Sequence, residues 1–129
     1  MKNKNLSLSQ LSAKIKAFNK KRYWLGLDAA DIAKSIVLEA AELLEHYQWD
    51  NTRKKRQWKQ PVKDKKAIAC EAADVLIYLL EFCYENKIDL AQATLEKIAL
   101  NAQKYPADYA RKEGHLVYDK IKKAHRNKK

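Results

Sequence analysis

Glycine and proline are nearly missing from this chain, with two of each in 129 residues. So few turn formers exclude a fold built of hairpins, which needs such residues at most reversals. Cysteine is equally rare, and Cys70 and Cys83 cannot form a disulfide-stapled scaffold. They fall in one helical stretch, ~20 Å apart at the rise of an α-helix, beyond the reach of an intrachain bridge. A long uninterrupted apolar run is also lacking. The most apolar segment, 67–84, contains Glu71, Asp74 and Glu81, which argues against a membrane span. Free thiols, with neither a signal-peptide pattern nor a spanning segment, lead to the expectation of a cytoplasmic protein.

What is present is a helical vocabulary: Ala, Leu, Lys and Glu dominate, and 47% of the residues are hydrophobic. That content excludes a disordered polymer. The expectation is an all-α single domain over 1–129, with a four-helix core at about 6–112 and a basic flexible tail at 113–129. Leu8, Leu11, Ile15 and Phe18 form a helical stripe that Ser7 or Ser9 can cap. Asp28 can cap a second helix over about 29–48. A third, over about 63–86, is apolar nearly all round and predicts a buried central element. Asp89 followed by Gln92 marks the start of a fourth, which Pro106 stops by Lys104 or Tyr105. No internal repeat or dividing linker is visible.

The net charge of +11, from 27 basic and 16 acidic residues, raises nucleic acid as a partner. The excess sits at Lys2 and Lys4, in the stretch 52–66 and in the last ten residues. A helical nucleic-acid-binding module is therefore the rival reading. Against it, such a module needs a basic face on one element, whereas these residues fall mostly in expected loops and ends.

Two acidic pairs stand out. Glu39 and Glu42 lie three residues apart in EAAELLEHYQW, and Glu71 and Asp74 in CEAADVLIYLL. On a helix each pair shares a face. An unpartnered buried carboxylate costs several kcal/mol, so four cannot go uncompensated. Pairing with Lys or Arg, protonation, and binding a divalent cation all remain open. Clustered oxygen donors suit Mg²⁺ or Mn²⁺. A di-iron carboxylate bundle needs two Glu-x-x-His motifs, which the chain lacks. Lys97, Asn101 and Lys104 share a face of the fourth helix and can hold phosphate oxygens or simply meet solvent. Trp24, Trp49 and Tyr78 can stack on a base or fill a core.

With Tyr47-Gln48-Trp49 after the first pair, Asp74-Val-Leu-Ile-Tyr78 within the second and Lys104-Tyr105-Pro106 beyond, the chain resembles the MazG-like all-α nucleoside triphosphate pyrophosphatases, most closely the dCTP pyrophosphatase branch. The likeness runs from about Leu11 to Lys112. It implies Mg²⁺-dependent conversion of nucleoside triphosphates, dCTP or related dNTPs, to monophosphate and pyrophosphate. It also implies a homodimer or homotetramer. Glu39, Glu42, Glu71 and Asp74 match the metal ligands; the mechanism expected on that basis has Glu39 or Glu42 orient or deprotonate the attacking water. Lys97, Asn101 and Tyr105 match positions near the phosphates and sugar. Trp24, Trp49 and Tyr78, with Phe18 nearby, match the base pocket. The chain departs from the pattern at Ile15, where a histidine is usual, at Ala41, where glycine is common, and in its basic loop 50–62. His46, His115 and Glu45 receive no role from the resemblance.

Overall fold

A computed structural model of the chain describes residues 5–48 and 64–127. Trp49 and the basic loop 50–62 therefore lie outside the described residues. Among the described residues six helices follow one another: α1 (Leu8–Lys20), α2 (Ala29–Glu45), α3 (Lys65–Glu85), α4 (Leu90–Lys104), α5 (Ala107–Glu113) and α6 (His115–Arg126). No strand occurs among the described residues. The chain divides into two compact units, Met1–Asp89 and Leu90–Lys129.

In the first unit the helix starts are set by side-chain caps. Ser7 and Gln10 form a reciprocal capping box, the Ser7 N–H donating to Gln10 Oε1 at 2.8 Å and the Gln10 N–H to Ser7 Oγ at 3.2 Å. Asp28 accepts from the Ala30 N–H at 2.8 Å, and Asp64 from the N–H groups of Lys66 and Ala67, both at 3.0 Å. Each occupies donors that the first turn of a helix leaves free. At its end α3 closes through the Ile88 N–H, which donates to the Cys83 carbonyl at 2.8 Å across Lys87 in the left-handed region.

α3 packs against both α2 and α1. Among the described residues the buried apolar side chains are Ile32 on α2 and Leu80 and Cys83 on α3. The expected all-round burial of the third helix is thus confined to its C-terminal half. Cys70 is exposed, and both cysteines are free. On α1 the buried position is Asn19, not Phe18, which is half exposed. The Asn19 amide donates to the Tyr84 hydroxyl at 2.9 Å, which satisfies a polar group inside. Val37, Leu38 and Leu44 of α2 stay about two-thirds exposed.

In the second unit α4 ends at Lys104, as Pro106 requires. Gly114, at φ 61° and ψ −148°, joins α5 to α6 in a conformation reserved almost wholly for glycine. The flexible tail expected at 113–129 needs correction, because 115–126 is helical. The rings of Tyr105 and Tyr118 stack with centroids 5.5 Å apart, and Ile121, one turn beyond Tyr118, is half-buried. Those contacts give the lysine-rich segment a packed side. No described helix is long and apolar enough to cross a membrane.

Candidate metal centre

The pairing of α2 with α3 brings acidic side chains from both helices together. Glu39 and Glu42 project from one face of α2, and Glu71 meets them from α3. One carboxylate oxygen from each lies within 4.8 Å of the other two. Two like charges ~4 Å apart repel by about 4 kcal/mol at an effective dielectric constant of 20, so a trio this tight needs a counterion or a proton. Glu39 registers the strain. Partial burial, then repulsion from Glu42, Asp74 and Glu71, raises its carboxyl above the ordinary range. Asp74, one turn beyond Glu71, thus acts on the same group electrostatically without belonging to the tight trio.

Among the described residues no lysine or arginine pairs with any of the four. The neighbouring basic group is His46, whose Nε2 lies 3.8 Å from Glu71 Oε1, with both side chains mostly buried. The sequence pattern alone gives His46 no role. Its spacing of four from Glu42, on the same face of α2, was the signal that places it here. Tyr78 borders the cluster as well. Its hydroxyl is pushed up by burial and then by the charges of Glu39, Glu81 and Asp74.

The remaining candidates fall into separate groups. Phe18 and Trp24 meet edge to face at 6.2 Å, and the Arg22 guanidinium lies over the Phe18 ring at 3.5 Å and the Trp24 ring at 6.0 Å. Both rings are about half exposed, so they present a π surface to solvent. Lys97, Asn101 and Lys104 line a groove of about 670 Å³ within the second unit, and Tyr105 stacks on Tyr118 there. Opposite them stand Lys122, His125 and Arg126 of α6, which sequence reasoning left in the tail.

Three carboxylates at this spacing form a hard-oxygen donor set of the kind Mg²⁺ or Mn²⁺ takes, and the residues fit such an ion. The fold and the cluster define a class: all-α proteins that present acidic motifs from two packed helices. Within that class the chain belongs to the MazG-like family, whose model matches residues 34–116. It is 35% identical over 77 residues to dCTP pyrophosphatase 1 of Mus musculus and 34% identical over the same length to that of Homo sapiens. Each alignment covers 60% of this chain, which spans only 45% of the length of those relatives. The fold is similar to the crystal structure of a pyrophosphatase from Archaeoglobus fulgidus, with a TM-score of 0.69 and 32% identity, covering 82% of this chain and 98% of that one.

Proposed function

We propose that the protein is a Mg²⁺-dependent nucleotide pyrophosphohydrolase that converts deoxynucleoside triphosphates, dCTP or a close relative, to monophosphate and pyrophosphate. Such an activity would clear the nucleotide pool. The observation that carries this reading is the trio Glu39, Glu42 and Glu71, drawn within 4.8 Å with no lysine or arginine partner among the described residues. The similarity to dCTP pyrophosphatase 1 and to the archaeal pyrophosphatase supports it.

Glu39, Glu42 and Glu71, with Asp74 behind them, would hold the divalent ion. Bound there, it would supply Lewis acidity and neutralise charge on the triphosphate. The chain's own residues do the rest. Glu39 or Glu42 orients the attacking water and accepts its proton; the raised proton affinity of Glu39 suits that task. The water oxygen bonds to phosphorus, the α–β bridging bond breaks, and pyrophosphate leaves. Lys97 and Lys104 offset charge on the departing group, with Asn101 and Tyr105 on the phosphates and sugar. Phe18, Trp24 and Tyr78 would take the base by stacking and shape, together with Trp49. His46 would orient Glu71.

The exposed Val37, Leu38 and Leu44 support a homodimer or homotetramer, because they stay about two-thirds exposed among the described residues of the single chain. Two free cysteines accord with a cytoplasmic setting. The direct test incubates the protein with each dNTP and Mg²⁺ and resolves the products by ion-exchange chromatography. Monophosphate plus pyrophosphate is expected, with dCTP turned over fastest. Diphosphate plus orthophosphate would refute the assignment.

A further inference from the structure

The second unit contains a groove whose charge no residue of its own wall offsets. α4 contributes Lys97, Asn101 and Lys104, and α6 contributes Lys122, His125 and Arg126; no aspartate or glutamate among the described residues lines it. Four permanent positive charges therefore face one another across about 670 Å³. That size falls in the range of small-molecule sites.

The two walls are held in register by aromatic stacking. The Tyr105 and Tyr118 rings lie 5.5 Å apart at 24°. Each ring also carries a cation from the groove. Lys104 Nζ sits 5.1 Å from the Tyr105 centroid, and Lys122 Nζ 5.3 Å from that of Tyr118. The stack thus fixes one ammonium on each wall by a cation–π contact. Arg126 adds a planar fork for bidentate contact with phosphate, and Asn101 adds an amide donor.

We propose that α6 is the second wall of an oligophosphate-binding groove, in which Lys122, His125 and Arg126 act with Lys97 and Lys104. The ligand class is a compact chain of linked phosphates, such as the triphosphate or pyrophosphate moiety of a nucleotide. This deepens the pyrophosphohydrolase reading for α4 and extends it to a helix that the reading had not used. A compact, highly charged anion matches four clustered cations better than a nucleic-acid strand, whose charges are spread along its length.

The test is calorimetric titration of the full chain with inorganic tripolyphosphate, in EDTA so that the carboxylate cluster takes no part. The wild type should bind. The K122A/R126A pair should bind roughly tenfold or more weakly, with its helical circular dichroism and thermal midpoint unchanged. K122R/R126K, which keeps both charges, should retain most of the affinity. Lack of binding by the wild type would overturn the proposal, and so would an alanine pair that binds as the wild type does. A charge-keeping pair as weak as the alanine pair would also overturn it. So would a single-stranded oligonucleotide that binds more tightly at the same salt and is not displaced by tripolyphosphate. E71Q separates this proposal from the enzymatic one: it should bind tripolyphosphate normally whatever its effect on hydrolysis. If the wild type binds tripolyphosphate but splits no dNTP, the groove stands and the hydrolase reading falls.

Discussion

In Met1–Asp89 the chemically unusual side chains are carboxylates that helix packing has gathered; in Leu90–Lys129 they are cations gathered around a pair of tyrosines. Both arrangements place like charges together, which costs free energy in the absence of a ligand. The first unit offsets that cost with a small buried core and three side-chain-capped helix starts. The second has no buried residue on α4, and its described contacts are the tyrosine stack and exposed pairs such as Asp108–Arg111. Similar electrostatic demands thus rest on supports of different strength.

The largest effect should come from removing one charge of the acidic trio. Glu71→Gln should lower turnover of the preferred dNTP by about a thousandfold, leaving the helical circular dichroism intact. Mg²⁺ should raise the thermal midpoint of the wild type and not that of the variant, since a ligand that binds the native state stabilises it by mass action. Retained turnover, or an equal Mg²⁺ effect on both proteins, would make the acids structural and end the comparison between the two units.

A smaller effect separates two apolar residues of one helix. Ile32 is 1% exposed and Leu44 is 67% exposed. Ile32→Ala should cost about 2–5 kcal/mol in chemical denaturation, because it opens a cavity in the small core of the first unit. Leu44→Glu should leave the fold of the single chain intact and shift the mass measured by light scattering toward monomer. If Leu44→Glu destabilises as much as Ile32→Ala while the oligomer persists, the exposed face of α2 is not an assembly surface.

How far the sequence could be read follows from how local each cause is. Ser7, Asp28 and Pro106 announce helix boundaries because caps and proline act within a few residues. The meeting of Glu39 and Glu42 with Glu71 was legible from three-residue spacing plus the family resemblance, since either pair alone fits a surface ion pair equally well. Burial on α1 does not follow hydropathy. Hydropathy favours Phe18, yet Asn19 goes inside because Tyr84, 65 residues away, supplies its hydrogen bond. α6 was missed for the same reason: its lysines look like a solvated tail until Tyr118 finds Tyr105. His46 was visible at its spacing from Glu42, but its neighbour Glu71 lies on another helix. In each case the missing information was a partner distant in sequence.

The smallest effect concerns the buried carboxylate that neither site uses. Glu81 is 3% exposed, its Oε1 has no hydrogen-bond partner among the described residues, and it lies on α3 within the first unit's core. Burial raises its proton affinity, the Asn19 amide opposes that, and the charge of Glu85 adds to it. A carboxyl whose folded pKa is raised binds its proton more tightly when folded than when unfolded. Its contribution is therefore most favourable at low pH and is lost as pH rises from the ordinary carboxylate range through the raised folded value. Glu81→Gln removes that titration. The variant should gain stability relative to the wild type near neutral pH, by about 1–3 kcal/mol, and the gap should close as the pH falls toward the ordinary carboxylate range. Chemical denaturation of both proteins at several pH values reads the difference directly. A gap that stays constant with pH would show that Glu81 keeps one protonation state throughout, and that the unpartnered oxygen costs the first unit nothing that titrates.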